Sequence, residues 1–281
     1  MTFKITCELD YTVTSPLTFL LNIRAQKNAR QKVLEEKFHL TPTMPHVKHA
    51  DEVTGNRFDQ ITAQVPGIYQ VRYEALVENS PEILSRKDLV DTEVHEFSLE
   101  VLACLYASRY CQSDRLGNLA AQQFGHCETP IERVLAVIAW ISEHIAYVSG
   151  STNASTSAVD SLVERQGVCR DFAHLGIAMC RAMNIPARYF TAYAHELNPP
   201  DFHACFETWV GGRWLLWDAT GLASPDGVVH IGTGRDAAEV SVCTSFGNLQ
   251  LERQNITCEA MDENYQKLTA EQLQQVFISH A

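Results

Sequence analysis

Apolar and polar residues alternate along much of the N-terminal part of the chain, and this period of two predicts β-strands. The clearest runs are Lys4–Val13, Leu17–Ile23, Asp59–Val65 and Tyr69–Val77. The dipeptide Pro66-Gly67 between the last two runs is typical of a turn. Short strands with frequent turns predict antiparallel sheets, and we expect a small β-sandwich here.

Beyond residue 115 the apolar residues recur with the period of a helix. Thr129–Glu132 combines a hydroxyl at the N-cap, proline at the first helical position and a glutamate at the third, which predicts a helix start. A second, shorter helix is expected over Ser157–Gln166, and a third begins at Val168 or Cys169. Pro186 prevents this third helix from continuing.

A hairpin signal follows the helices. Two strand-like runs, His203–Val210 and Arg213–Asp218, are joined by the dipeptide Gly211-Gly212. Because glycine adopts positive φ at no steric cost, this pair predicts a two-residue turn. The length of the turn sets the register of the strands, so that Trp209 is expected to face Trp214.

This register brings a histidine close to an acid. Cys205 faces Asp218, and period-two alternation puts His203 on the same face, diagonal to Asp218. Diagonal neighbours lie about 7–8 Å apart at Cα, which allows a hydrogen bond between the His203 and Asp218 side chains. A carboxylate in this position would fix the imidazole tautomer and stabilise its cation.

The patterns together predict an α+β protein in three parts. Residues 1–115 form a β-rich N-terminal domain, residues 116–235 hold the helices and the hairpin, and residues 236–281 add C-terminal strands and a tail that complete the fold. The last 18 residues are polar, so a terminal helix or a frayed end is expected.

Composition narrows the range of partners. The chain has 281 residues and a net charge of −12, and its 22 lysines and arginines are scattered. Nucleic acids and anionic membranes bind concentrated basic surfaces, so neither is an expected partner. The N-terminus lacks the continuous apolar segment of a secretion signal, and no apolar run approaches the roughly 20 residues that span a bilayer, so a cytoplasmic location is expected.

Nine cysteines make an odd number without a C-x-x-C pair, which disfavours a disulfide framework and a structural zinc site. Most are expected to pack as small hydrophobic residues. Cys169 differs, because it follows Gly167 at the start of a predicted helix. Unpaired N–H groups and the helix dipole stabilise a thiolate there, and Arg170 adds positive charge nearby. With His203 as its base, Cys169 would be a nucleophile whose own amide could bind an oxyanion.

Other polar residues near Cys169 and His203 in the sequence are expected to have no catalytic role. His203, Cys205 and Glu207 alternate on one strand face and could coordinate zinc, but the sequence offers no fourth ligand nearby. His174 lies about 140° around the helix from Cys169 and is expected to be structural.

Several aromatic side chains stand near the predicted site. Tyr147, Tyr193 and the Trp209–Trp214 pair could line a cleft, but aromatic residues in such strands more often pack in a core. Asp171 is expected to complement the helix dipole in the first turn and could also bond a neighbouring loop. None of these residues is counted among the expected catalytic groups.

The run Gly167–Leu175, GVCRDFAHL, followed by Asn184–Tyr189, NIPARY, resembles the core of bacterial transglutaminase-like proteins, a family often described as cysteine proteases. His203-Ala204 resembles the start of the strand that carries the family's histidine. Trp217–Thr220 resembles its Asp-Pro-Thr, with alanine in place of proline. Upstream, Ser108–Leu116 resembles the segment that joins the family's N-terminal β-region to its catalytic domain. The resemblance covers most of the chain and is weakest over residues 1–80 and 240–281.

The resemblance implies a papain-like α+β fold, in which an N-terminal β-sandwich-like domain precedes a catalytic core with an antiparallel sheet. It implies Cys169 as nucleophile, His203 as general base and then acid, and Asp218 as the residue that orients His203. The reaction would be acyl transfer through a thioester at the cysteine, on a peptide, protein or small amide substrate, with no metal or organic cofactor.

The residues do not determine whether water or an amine accepts the acyl group. Water would make the protein a peptidase or amidase, and an amine would make it a protein-glutamine transamidase. Hydrolysis is favoured, because water is abundant and the sequence shows no pocket for an amine. A non-catalytic peptide-binding module on the same scaffold is a further alternative, which the intact set Cys169, His203 and Asp218 argues against.

Overall fold

The computed structural model describes residues 1–90, 92–273 and 275–281. The N-terminal part consists of β1 (Thr2–Val13), β2 (Leu17–Leu21), β3 (Gln31–Thr41), β4 (Val47–Ala50), β5 (Arg57–Ala63), β6 (Gly67–Asn79) and β7 (Glu82–Ser85). The middle holds α1 (Leu99–Ala103), α2 (Gly117–Phe124), α3 (Pro130–His144), β8 (Ala146–Tyr147), α4 (Ala158–Glu164), β9 (Gln166–Gly167) and α5 (Cys169–Ala182). The remainder contains β10 (Ala187–Ala194), β11 (Phe202–Val210), β12 (Arg213–Trp217), β13 (Val228–Gly234), α6 (Ala237–Val240), β14 (Cys243–Phe246), β15 (Leu249–Ala260), α7 (Ala270–Leu273) and β16 (Val276–Ser279). Of the helices within these described ranges, none has the length and apolar character needed to cross a membrane.

Two four-stranded sheets form the N-terminal sandwich. Their strand orders are β15-β1-β6-β3 and β14-β2-β5-β4, and neighbouring strands run antiparallel. Along β1 every second side chain from Phe3 to Val13 is buried in the core between the sheets. The predicted sandwich is therefore confirmed, because the alternation of the sequence matches the pleat of the strands that carry it.

The alternation does not predict β3 and β4. β3 is an edge strand in which most side chains are partly or fully exposed, and its register shifts between Val33 and Glu35. All four residues of β4 are exposed. A strand with a free edge, a bulge and little burial carries no clear period of two, since few of its side chains face the core.

The C-terminal strands return to the sandwich. β15 pairs with β1 and β14 pairs with β2, so residues distant in sequence complete both sheets. β16 then pairs with β7, and Phe277, Ile278 and His280 are buried. The expectation of a helix or a frayed end is therefore wrong for residues 276–280, because their few apolar side chains are covered by the rest of the fold.

The middle of the chain forms a third four-stranded antiparallel sheet, in the order β12-β11-β10-β13, and α5 packs against it. α3 begins as predicted, with the Thr129 hydroxyl accepting from the N–H of Glu132 at 3.3 Å. Gly176 permits close packing of α5 on the sheet, since a Cβ there would lie 2.7 Å from the ring of Phe206. The predicted α+β class with antiparallel sheets is confirmed.

Side-chain amides of the sandwich complete the outer edge of this third sheet. Gln31 donates to the carbonyl of His230 at 2.9 Å and accepts from its N–H at 2.7 Å. Asn56 bonds Thr233 in the same way, at 2.7 and 2.9 Å. Because β13 is an edge strand, these bonds satisfy backbone groups that burial would otherwise leave without partners.

Candidate active site

The turn before α5 places Cys169 at the N-terminus of a buried helix. The Asp171 carboxylate accepts from the N–H of Val168 at 2.9 Å and from the Thr152 hydroxyl at 2.7 Å, which fastens the turn to the preceding loop. Gly167 is required by this arrangement, because a Cβ there would lie 2.7 Å from the Cβ of Asp171. Asp171 thus lies in the first turn of α5 and also bonds the preceding loop, as expected. Cys169 is partly exposed.

The guanidinium of Arg170, the residue after Cys169, is paired with a buried acid. It lies 3.0 Å from Oδ1 of Asp171 and donates to the carbonyl of Asn153 at 2.6 Å. The contribution expected from Arg170 to a thiolate at Cys169 is therefore reduced, since the buried carboxylate offsets the charge. The unpaired N–H groups of the helix start add positive partial charge beside Cys169.

The predicted hairpin forms with the predicted register. The dipeptide Gly211-Gly212 makes the turn, with φ of +64° and +71°. Trp209 pairs with Trp214 across it. β12 ends at Trp217, so Asp218 lies in the turn that follows the strand rather than in the strand itself. The side chain of Asp218 can therefore turn towards β11.

The His203 ring and the Asp218 carboxylate meet in the interior. Nε2 of His203 lies 3.0 Å from Oδ2 of Asp218, and only 1% and 3% of the two side chains are exposed. The carboxylate also accepts from the N–H groups of Thr220 and Ala223 and from the Thr220 hydroxyl, at 2.6 to 2.9 Å. Burial by itself would raise the pKa of Asp218, but the bonds and charge of His203 and these donors lower it. Asp218 is therefore an anion held in one orientation.

Two sulfurs lie next to the same imidazole. Burial opposes the charged form of His203, but Cys205, Asp218 and Cys169 outweigh this effect and raise the pKa of His203 well above its usual value. Because Asp218 occupies Nε2, Nδ1 is the nitrogen left for proton exchange with a thiol. The structure thus joins His203 to Asp218 by a hydrogen bond and places Cys169 within electrostatic reach of the same ring, as expected of the three residues selected from the sequence.

The alternative zinc set on one face of β11 is not assembled. Glu207 lies 2.6 Å from the guanidinium of Arg188, its partner on β10, so its carboxylate already has a counter-ion. Cys205 stays beside His203, and burial raises the pKa of this thiol to about 11. The ligand atoms of His203, Cys205 and Asp218 lie within 4.8 Å of one another, so the acid beside His203 and Cys205 is Asp218 and not Glu207.

His174, the other histidine near the motif, has a structural environment. Its ring lies between those of Tyr110 and Tyr189, with both centroid distances at 5.0 Å. Nε2 accepts from the N–H of Ala237 at 3.2 Å. Burial lowers the pKa of His174 to about 3, so the ring is neutral and serves packing.

Tyr147 belongs to the site, although the sequence argument left it out. β8 pairs with β9 in parallel, and Tyr147 lies opposite Gly167, two residues before Cys169. The residue is 44% exposed, and its ring centroid lies 5.8 Å from that of Phe172. Partial burial and the charge at Cys169 raise the pKa of Tyr147, whereas the nearby backbone of Cys169 acts in the opposite direction. The expectation that Tyr147 packs in a core is therefore wrong: its hydroxyl lies beside the amide expected to bind an oxyanion.

Comparison with known proteins relates this geometry to a family. Residues 117–219 match the model of the transglutaminase-like superfamily, and residues 1–99 match that of the bacterial transglutaminase N-terminal domain. The crystal structure of "a putative cysteine protease" from Cytophaga hutchinsonii is 41% identical and superposes with a TM-score of 0.96, covering 100% of this chain and 98% of that one.

Two uncharacterized mycobacterial proteins are also similar. ML0607 of Mycobacterium leprae is 31% identical over 120 residues, which is 40% of this chain and 43% of that protein. Rv2569c of Mycobacterium tuberculosis is 33% identical over 143 residues, or 46% of each chain. The match therefore spans less than half the length of these two relatives.

Proposed function

Since this chain belongs to the transglutaminase-like superfamily, we propose that it is a cysteine-dependent acyl-transfer enzyme that cleaves amide bonds through a thioester at Cys169. Water is the proposed acceptor, which makes the enzyme a peptidase or an amidase. One observation carries the proposal: a single buried imidazole, that of His203, is hydrogen-bonded to the Asp218 anion and lies within electrostatic reach of Cys169.

The first step is formation of the nucleophile. The thiol proton of Cys169 passes to His203, which leaves a thiolate and an imidazolium. The helix N-terminus stabilises the thiolate, and Asp218 stabilises the imidazolium and holds its ring. Because the ring is buried and bonded at Nε2, it stays in place as the sulfur reacts.

The acylation step follows from the same groups. The sulfur of Cys169 attacks the amide carbon, and the carbonyl oxygen takes up the negative charge. The backbone N–H of Cys169 and the hydroxyl of Tyr147 are the proposed donors to this oxygen. His203 then gives its proton to the amide nitrogen, the C–N bond breaks, and the amine leaves the acyl group on sulfur.

In deacylation His203 acts first as a base. His203, now neutral, takes a proton from water as the water oxygen attacks the thioester carbon. The C–S bond breaks, the carboxylic acid leaves, and the thiolate–imidazolium pair is restored. A primary amine in place of this water would give transamidation by the same steps.

The nucleophile is tested by treating the folded protein with iodoacetamide at neutral pH and measuring each cysteine peptide by mass spectrometry. Cys169 is expected to react at least tenfold faster than Cys127 and Cys243, which are matched references because they are also partly exposed. His203→Ala is expected to remove most of this difference. Equal rates for the three cysteines in the wild-type protein would contradict the proposal.

The acceptor is tested with a library of peptide amides, incubated in ¹⁸O-labelled water with and without a primary amine. Hydrolysis predicts products that carry ¹⁸O in the new carboxyl group. Products that carry the amine instead would identify a transamidase. Peptide binding that Cys169→Ala does not change, without turnover by the wild-type protein, would identify a binding module and contradict the proposed activity.

A further inference from the structure

A second cysteine, Cys205, lies beside His203 and Asp218 and has no part in the proposed acyl transfer. It follows His203 by two positions in β11, so the two side chains share one face of the strand. Only 1% of Cys205 is exposed, which keeps its sulfur away from a substrate. The partly exposed Cys169 is the sulfur that a substrate reaches.

The sulfur, the ring and the carboxylate form a compact set of metal ligands. One ligand atom from each of Cys205, His203 and Asp218 lies within 4.8 Å of the other two. Among the residues that the structure describes, this is the only such group of histidine, cysteine or acidic side chains. Tetrahedral zinc, with bonds of about 2.0–2.3 Å, needs ligand atoms about 3.3–3.6 Å apart. Since Nε2 of His203 and Oδ2 of Asp218 are 3.0 Å apart, a small shift of the side chains completes the set.

The chemistry of these three donors favours a thiophilic divalent ion. Thiolate sulfur and imidazole nitrogen suit zinc, whereas magnesium and calcium prefer sites made of oxygen ligands. Cys205 packs in a buried cluster with the apolar side chains of Phe190 and Leu216. Such an apolar shell limits the access of water that would compete for the ion. Three protein ligands leave the fourth tetrahedral position of zinc to a water molecule.

A cavity of about 540 Å³ gives access to this set from the side of Asp218. Its wall includes Leu216, Asp218 and Ala223. The N–H of Ala223 bonds the Asp218 carboxylate at 2.8 Å, so the cavity borders the turn that holds this acid. An ion can therefore approach Asp218 from this cavity without passing Cys169.

We propose that Cys205, His203 and Asp218 form an inhibitory zinc site, in which the ion replaces the proton between His203 and Asp218. On binding, the Cys205 thiol and Nε2 of His203 each release one proton to solvent, and sulfur, nitrogen and carboxylate oxygen each bond the ion. The proton left on the zinc-bound ring is held more tightly than in an imidazolium, so His203 no longer passes it to the leaving amine. The inference rests on the proposed function, because it assigns a regulator to the same histidine.

Cobalt(II) tests these ligands without requiring turnover, because it replaces zinc in such sites and its thiolate complexes absorb light. The full-length chain, with its thiols reduced, is titrated with cobalt chloride, and the thiolate-to-cobalt charge-transfer band is measured in the near ultraviolet. We expect the band to form in the wild-type protein and zinc to abolish it by displacing cobalt, whereas magnesium leaves it unchanged. A wild-type protein that forms no such band would overturn the inference.

Cysteine variants identify the sulfur that binds. Cys205→Ala and Cys205→Ser are expected to lose the band and to weaken zinc binding at least about tenfold in competition with a chromophoric chelator, with circular dichroism as a control for folding. Cys169→Ala is expected to keep the band. Cys7→Ala removes another fully buried strand cysteine and is the matched control, with wild-type behaviour expected. A band that persists in Cys205→Ala, or that disappears in Cys169→Ala, would contradict the inference.

Amide cleavage gives a second measurement. We expect zinc to inhibit the wild-type protein, and Cys205→Ala to need at least about tenfold more zinc for half-inhibition. Equal sensitivity of the two proteins would show that zinc acts without Cys205 and would contradict the inference. A protein that forms the cobalt complex as expected but cleaves no amide would contradict the proposed function and would still support the metal site.

Discussion

Nε2 of His203 lies 3.0 Å from Oδ2 of Asp218, although 15 positions separate the two residues in the chain. The carboxylate is held in turn by the N–H groups of Thr220 and Ala223. Ala219, which stands where the family has proline, is buried in the same turn. The turn therefore keeps the carboxylate in place without the proline, and Asp218 can hold the imidazole.

Asp218→Asn tests the charge of this contact. Asparagine keeps the volume and one acceptor oxygen but removes the anion that stabilises the imidazolium, so the pKa of His203 is expected to fall. We expect both the alkylation rate of Cys169 and the rate of amide cleavage to fall, the latter about 100-fold or more. Iodoacetamide labelling and steady-state kinetics measure these effects, with far-UV circular dichroism as a control for folding. Wild-type rates in this variant would show that Asp218 does not assist His203.

Tyr147→Phe separates oxyanion binding from nucleophile formation. The substitution removes the hydroxyl beside the Cys169 amide but keeps the ring near Phe172. We expect kcat to fall about 10- to 100-fold with little change in KM, because the lost donor acts on charge that develops in the transition state. The alkylation rate of Cys169 is expected to stay near that of the wild-type protein. A kcat equal to the wild-type value would remove Tyr147 from the mechanism.

Gly167→Ala tests the turn that positions Cys169. The new Cβ would meet the Asp171 side chain at 2.7 Å, so either the backbone or the carboxylate has to move. We expect a loss of about 1–3 kcal/mol in the free energy of unfolding and slower alkylation of Cys169. Gly117→Ala is the matched control, since a Cβ at Gly117 meets nothing within 4 Å. Equal stability of the two variants in urea denaturation would contradict the close contact.

His174 predicts part of the dependence of stability on pH. Its pKa is lowered by burial to about 3 in the folded protein, from an ordinary value of 6.5, so the unfolded chain takes up this proton first as the pH falls. Neutral His174 makes its full contribution to the free energy of unfolding above pH 6.5 and loses this contribution progressively as the pH falls towards 3. The loss is about 2 kcal/mol at pH 5. Urea denaturation of His174→Gln at pH 7 and pH 5 is expected to show a smaller difference in unfolding free energy than the wild-type protein does. An unchanged difference would show that His174 is not the group responsible.

Local patterns in the chain account for part of the site. The glycine pair at 211 and 212 determines the register of the hairpin, and with it the approach of Asp218 to His203. Gly167 and the helix that follows determine where Cys169 stands. These features could be predicted because turn chemistry and helix starts act between residues that are close in sequence.

Other members of the site could not be found in this way. Tyr147 reaches Cys169 through a strand pair of two residues, which is too short to show a period. Glu207 shares a strand face with His203, but Arg188 on the neighbouring strand takes its carboxylate. In each case the packing of elements that are distant in sequence determines the contact, so the pattern of a single strand or helix cannot predict it.

By itself, the order of residues determined the α+β class and the turns at Gly167 and at Gly211-Gly212. It also identified the three candidate catalytic residues, Cys169, His203 and Asp218. Only the packed molecule decided that β14 and β15 close the N-terminal sheets and that the last residues are buried. The reason is physical: propensity and turn geometry act over a few residues, whereas strand partners and cavities depend on which surfaces a folded chain buries together.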